Sequence, residues 1–259
     1  MSSQIEQIKI LTKMGRGVVF FGPELFLPSL SYSQTTIFEE IRDGLSDSTG
    51  WESCDDDTQL SLAMTELGAS AVVEKLTHSF PYLEVQTDGG ELAKSLNRYR
   101  PNHVVDLNFH NALDSFLIQQ SHIVKRVVYD QDLSTSFTGK PHAVCYKLRG
   151  DLWLDQSCLT IEQLNEKLRK NPKTLKNIRT LCREEPVFLI GFHPQSSLFR
   201  WIMEQFLDEE SLVLSCFVSS NRNWKKWCQN QGHSTLCAPT RTELTQKLSL
   251  FFEDNTRFD

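Results

Sequence analysis

The stretch that decides the fold is Gly17-Val18-Val19-Phe20-Phe21-Gly22-Pro23-Glu24. Four consecutive apolar residues that end in glycine and proline are typical of a short strand buried on both faces, as in the middle of a parallel sheet. Such sheets bind their ligands just beyond the carboxyl ends of the strands. The turn Gly22-Pro23-Glu24 is therefore predicted to lie on the floor of any ligand site.

This turn is poorly suited to phosphate, because a phosphate-binding turn presents several glycines and free backbone N–H groups. Pro23 has no N–H group, and Glu24 carries a negative charge. A carboxylate about 4 Å from a phosphate charge costs on the order of 1 to 4 kcal/mol, depending on the local dielectric. The turn therefore disfavours a bound dinucleotide.

Further apolar runs predict strands, and periodic apolar residues between them predict helices. The predicted strands are 18–21, 103–107, 124–129, 143–148, 186–192, 212–218 and 234–237. The predicted helices are 1–16, 35–45, 60–80, 91–99, 112–117, 162–168, 172–183, 197–206, 223–231 and 240–252. This alternation predicts an α/β fold: a doubly wound, Rossmann-like parallel sheet with helices on both faces. No linker rich in Pro, Gly or Ser divides the chain, so a single domain over residues 1–259 is predicted.

Composition excludes several classes of protein. A hydrophobic content of 39% is enough for a core, and the net charge of -6 argues against a nucleic-acid binder. No stretch has the roughly 18 apolar residues that span a bilayer, and the first residues lack the features of a secretion signal. We therefore expect a cytoplasmic protein with no membrane partner.

Neither the cysteines nor the acidic run predicts a metal site. The seven cysteines are odd in number and widely spaced, which fits free thiols better than a zinc site or a disulfide framework. The consecutive acids Asp55–Asp57 are interpreted as an exposed loop, because adjacent side chains point in different directions.

Glycine or polar residues stand at four predicted strand ends: Gly22-Pro23-Glu24, Asn108, Arg149-Gly150 and Gly191. Such ends can converge in a parallel sheet. In order and content they resemble the sirtuin-like domain of bacterial NAD hydrolases that act in phage defence. The resemblance covers roughly residues 17–250.

The four motifs match that family in part. Of the family's Gly-Ala-Gly turn, which holds the NAD pyrophosphate, one glycine survives as Gly22. The strand end Thr-Thr-Asn-Tyr-Asp is similar to residues 106–110, where Asn108 is kept and the aspartate is His110. The motif Lys-Leu-His-Gly matches residues 147–150, with Arg149 in place of the histidine. A strand that ends in glycine and an aromatic residue, before a polar turn that opens a helix, matches residues 190–198.

The departures fall on the residues that carry the chemistry. The resemblance implies that the family's histidine acts in catalysis, and an arginine at that position stays charged and cannot serve as a base. Together with Pro23 and Glu24, Arg149 points to a degenerate enzyme without a cofactor. Vestigial site residues are then Asn108, His110 and Arg149 for catalysis, and Gly22, Glu24, Asn108 and Gly191 for NAD.

Several alternatives stay open at these positions. Asn108 is either a ligand residue or a helix N-cap. Arg149 either binds a phosphate or pairs with Glu24 or Asp106, which fills the pocket with protein. Catalysis would require another base in place of the lost histidine, and His110 is the candidate. It would act beside Asn108 in an NAD hydrolase with a rearranged site. His193 is interpreted as an exposed loop residue.

Two stretches of the sequence are candidate binding surfaces for a partner. The basic stretch 167–179 is either a solvated helix face or a nucleic-acid contact. Trp224 and Trp227 either form a partner surface or, for one of them, belong to the core.

The favoured hypothesis is a non-catalytic sirtuin-like subunit that binds or assembles within a larger complex, in bacterial defence against phage or plasmids. The resemblance implies a protein partner encoded alongside, with homo-oligomers as a second form of assembly. The alternatives are the rearranged NAD hydrolase and a nucleic-acid adaptor.

Overall fold

The computed structural model of the protein describes residues 2–22, 41–45, 56–79, 99–109, 113, 117–118, 123–134, 141–152 and 157–254. Pro23, Glu24 and His110 lie outside the described residues. So does most of the two helices that were predicted at 35–45 and 91–99.

The centre of the protein is a sheet of seven parallel strands in the order β3-β4-β2-β1-β5-β6-β7. These strands are β1 Val18–Phe21, β2 His103–Asp106, β3 Val124–Val127, β4 Ala143–Lys147, β5 Val187–Ile190, β6 Val213–Val218 and β7 Ser234–Ala238. All six strand pairings are parallel. The predicted doubly wound α/β sheet is confirmed.

Among the described residues, one helix precedes β1, one follows β7, and the others lie in the connections between the strands. The helices are α1 Ser2–Lys13, α2 Asp56–Leu67, α3 Ala69–Ser79, α4 Asp130–Ser134, α5 Ile161–Lys170, α6 Pro172–Glu184, α7 Ser197–Phe206, α8 Arg222–Asn230 and α9 Arg241–Glu253. Over the part of the chain that the structure describes, none of them has the length and apolar character to cross a membrane.

Two helix predictions were wrong in detail. The single helix predicted at 60–80 is the pair α2 and α3, which separate at Gly68, where a φ of +86° ends the first helix in the left-handed conformation. The segment between β3 and β4, where no helix was predicted, contains α4, a five-residue helix. It has no buried residue, so apolar periodicity could not reveal it.

The strand β1 lies in the middle of the sheet and is buried on both faces, as its apolar run predicted. Val18 and Phe20 pack in one apolar cluster with α5, α6 and α7, whereas Val19 and Phe21 pack in another with α1 and α9. A third, smaller cluster belongs to α2 and α3 and reaches the chain just after β2 and β4. The sheet therefore has helices on both faces and a small helical unit at its carboxyl edge.

The order of the strands reverses at β1, which lies between β2 and β5. Phe21 is level with Asp106 of β2 and Ile190 of β5, and Asp106 is level with Lys147 of β4. The strand ends near residues 149, 108, 22 and 191 are therefore neighbours along one edge of the sheet, as predicted. This reversal is where open α/β sheets bind their ligands.

A buried serine–histidine pair lies at the β6–β7 side of the sheet. Ser215 Oγ and His233 Nδ1 are hydrogen-bonded at 2.8 Å, and both residues are buried. Burial lowers the pKa of His233 to about 4, because the charged ring cannot be hydrated there. The folded protein therefore keeps this histidine neutral well below its ordinary pKa of about 6.5.

We expect this histidine to make the protein less stable in mild acid. Between about pH 6.5 and pH 4 the unfolded chain binds a proton that the folded chain does not, so the free energy of unfolding falls by on the order of 3 kcal/mol in total. Urea unfolding at pH 7, 6, 5 and 4 measures this for the wild type and for His233→Gln, whose side chain can still hydrogen-bond Ser215 but does not titrate. The variant should lose this part of the pH dependence; identical pH profiles would contradict the prediction.

Candidate functional site

The carboxyl ends of β2 and β4 are joined by a buried ion pair. Asp106 and Lys147 are both 0% exposed, and Lys147 Nζ lies 3.2 Å from Asp106 Oδ2. Asp106 Oδ1 accepts hydrogen bonds from the backbone N–H of Asn108 at 3.0 Å and from Asn108 Nδ2 at 2.8 Å. The side-chain amide of Asn108, which is 2% exposed, is thus turned back towards the end of its own strand.

Arg149, two residues beyond the end of β4, is packed inside the protein with 3% of its surface exposed. Its guanidinium carbon lies 4.4 Å from the centroid of the Phe109 ring, within range of a cation–π interaction. Its Nη2 lies 3.7 Å from Asp57 Oδ1. The carboxylate of Asp106 is paired with Lys147, so the alternative in which Arg149 pairs with Asp106 was wrong. The alternative partner, Glu24, lies outside the described residues.

The acidic run had been interpreted as an exposed loop, and for Asp57 that interpretation was wrong. Asp57 lies in the first turn of α2, and its side chain is 18% exposed. Its Oδ1 also accepts the backbone N–H of Ile161, the first residue of α5, at 2.7 Å. A single carboxylate thus contacts both Arg149 and the start of another helix.

Gly22 and Gly191 meet at the point where the strand order reverses. The N–H of Gly22 donates to Ile190 O at 2.8 Å, and the N–H of Gly191 donates to Cys216 O at 3.1 Å. A Cβ atom on Gly22 would collide with the carbonyl oxygen of Gly191 and would lie 2.6 Å from the Phe192 ring. Glycine is required at position 22 because backbone and an aromatic ring fill the space beside it.

A comparison with protein families bears on this edge of the sheet. Residues 102–228 match the family model of the SIR2-like domain. The match spans β2 to most of α8, just under half of the chain, and includes Asn108, Arg149 and Gly191. It supports a sirtuin-like domain. A comparison with curated proteins gave no match.

Lys167 on α5 belongs to the basic stretch 167–179, and both alternatives for that stretch placed this lysine on an exposed face, which was wrong. Lys167 is buried, and its Nζ donates to the carbonyl oxygens of Lys147 at 3.2 Å and Leu148 at 3.0 Å. The Nζ also lies 5.1 Å from the centroid of the Tyr129 ring. Burial lowers the pKa of Lys167. This lysine ties α5 to the end of β4.

Three residues that follow β5 and β6 also differ from their predictions. His193 is half-buried, not exposed: its ring packs edge-on against Phe217 and Trp224, and its Nδ1 accepts the N–H of Gln195 at 3.2 Å. Burial lowers the pKa of His193. One of the two tryptophans Trp224 and Trp227 had been expected in the core, and both of them are partly buried and pack against it.

At the described strand ends, Asp106 contacts Lys147 and Asn108, and Arg149 contacts Phe109 and Asp57. Among the described residues, no group of three His, Cys, Asp or Glu side chains could hold a metal ion. Lys147 had been placed only within the motif at residues 147–150, with no role of its own. The signal that could have singled it out is a lysine at the end of a buried strand, since such a charge requires a buried counter-ion.

Proposed function

We propose that the protein is a non-catalytic sirtuin-like protein that serves as a binding or assembly subunit of a larger complex. The observation that carries the proposal is Arg149. It stands where the resemblance implies a catalytic histidine, and it is packed between Phe109 and Asp57. A guanidinium cannot accept a proton at any physiological pH. The group that would act as the base is therefore a fixed cation in a structural contact.

The hydrogen bonds that Asn108 makes to Asp106 support the same proposal. Its amide nitrogen and its backbone N–H both donate to Asp106, whose other carboxylate oxygen is paired with Lys147. For Asn108 to bind a ligand through its amide N–H group, the hydrogen bond to a buried carboxylate would have to break. Leaving a buried polar group unsatisfied costs about 1 to 3 kcal/mol, and more for a charged one.

The proposal is tested first with NAD. We expect no release of nicotinamide from NAD at high protein concentration, and no binding of NAD in a calorimetric titration, since Asn108 and Arg149 are buried in contacts with other protein groups. NAD binding with micromolar affinity would contradict the proposal. Nicotinamide release that is abolished by His110→Ala would establish the alternative, an NAD hydrolase that uses Asn108 and His110.

The assembly role is tested by affinity purification from the native host with identification of bound proteins. A protein partner in fixed stoichiometry, encoded alongside, is the expected result, and phage challenge of cells that lack either gene tests the role in defence. Light scattering of the purified protein reports homo-oligomers.

The alternative function, a nucleic-acid adaptor, is weakened because one cation of the basic stretch, Lys167, is buried and cannot contact phosphate. Arg169, Lys170, Lys173 and Lys176 remain exposed on α5 and α6. Nucleic-acid binding that falls steeply with added salt would favour that alternative.

A further inference from the structure

A small helical unit lies at the carboxyl edge of the sheet. It consists of residues 41–45 together with α2 and α3, and it is called the helical unit below. Its buried residues form an apolar cluster separate from the two clusters that cover the faces of the sheet; they are Ile41, Leu60, Ala63, Val72 and Leu76. Phe109, Leu152 and Leu159 extend this cluster to the segments that follow β2 and β4. Over the described residues, the helical unit therefore has a core of its own, and its apolar contact with the rest of the protein is made through Phe109, Leu152 and Leu159.

A polar contact through Asp57 joins the helical unit to the sheet. Asp57 of α2 accepts the N–H of Ile161 at the start of α5 and lies 3.7 Å from Arg149 Nη2. Arg149 in turn lies over Phe109, which belongs to the cluster of the helical unit. The carboxylate of Asp57 thus joins the helical unit to the end of β4 and to the first turn of α5.

We propose that Asp57 is a latch that holds the helical unit closed over the carboxyl ends of β2 and β4. Opening the unit breaks the Asp57–Arg149 and Asp57–Ile161 contacts together and returns Arg149 and Phe109 to water, while both faces of the sheet stay covered. Local opening of a unit whose apolar cluster is separate from the two main clusters requires less free energy than global unfolding. The latch concerns the motion of the helical unit, so it holds whether or not the protein binds NAD.

Hydrogen exchange measured by mass spectrometry tests the latch on the full chain. Asp57→Asn keeps an oxygen for the N–H of Ile161 but loses the charge, and Arg149→Gln removes the other charge. In each variant we expect the amides of residues 60–79 to exchange about tenfold faster than in the wild type, because the lost contact joined charged groups. The double variant should exchange no faster than the faster single variant, because both substitutions break the same contact.

Asp130→Asn is the matched control. The Asp130 carboxylate accepts the N–H groups of Lys173 at 3.0 Å and Thr174 at 2.7 Å at the start of α6, which is the same type of contact away from the helical unit. This control should leave the exchange of residues 60–79 unchanged. Three outcomes would overturn the proposal: unchanged exchange in Asp57→Asn and Arg149→Gln, an equal increase in the control, or an equal increase throughout β5 and β6.

Discussion

Lys147→Met is expected to lower the free energy of unfolding by about 3 to 5 kcal/mol. The substitution keeps most of the apolar stem but leaves the Asp106 carboxylate, which is fully buried, without the counter-ion 3.2 Å away. The two donors on Asn108 remain, yet they are neutral and cannot replace a positive charge. Urea unfolding at pH 7 measures the loss.

The companion variants separate the ion pair from packing. Adding Asp106→Asn to Lys147→Met removes the second charge and retains an acceptor for Asn108, so the double variant should be more stable than Lys147→Met alone. Lys170→Met is the control, since its pair with Glu166 at 2.6 Å is solvent-exposed and should matter by less than about 1 kcal/mol. If Lys147→Met and Lys170→Met cost the same, the buried pair is not holding the strand ends together.

Gly22→Ala is expected to cost about 3 kcal/mol of stability, at the upper end for added volume in a packed core. Of the atoms that a Cβ would meet, the carbonyl oxygen of Gly191 belongs to the backbone of the adjacent strand end, and the Phe192 ring is buried. Neither can turn away like a flexible side chain, so the separation of β1 and β5 must change. Thermal and urea unfolding measure the effect.

Gly232→Ala provides the comparison for Gly22→Ala. Gly232 has a φ of +83°, and a Cβ atom there would meet nothing within 4 Å, so only the left-handed conformation is penalised, by roughly 1 to 2 kcal/mol. A loss for Gly22→Ala no larger than that for Gly232→Ala would mean that the contact between the two strand ends is not tight.

Much of the fold was predictable because the relevant signals are local. The run Val18–Phe21 predicts a strand buried on both faces, and the alternation of strands and helices places residues 22, 108, 149 and 191 on one edge. The partner of Arg149 was not predictable in this way. Asp57 lies in an acidic run without apolar periodicity and reaches Arg149 only through the tertiary fold.

The burial of Lys167 also escaped prediction. A lysine in a basic run resembles a solvated face, and only the fold brings the carbonyl oxygens of Lys147 and Leu148 to its amine. Three statements stay predictions: that residues 1–259 form a single domain, that the site is vestigial, and that the protein has no cofactor.

The central position of β1 has a consequence for synthesis of the protein. Its two neighbours, β2 and β5, lie far downstream in the chain. On the ribosome, Val18–Phe21 emerges early, but both of its edges are paired only after Val187–Ile190 has emerged. Until then the nascent chain carries an apolar strand with at least one open edge, a species prone to aggregation. Shielding of this segment by chaperones is therefore expected to determine how much of the protein folds in the cell.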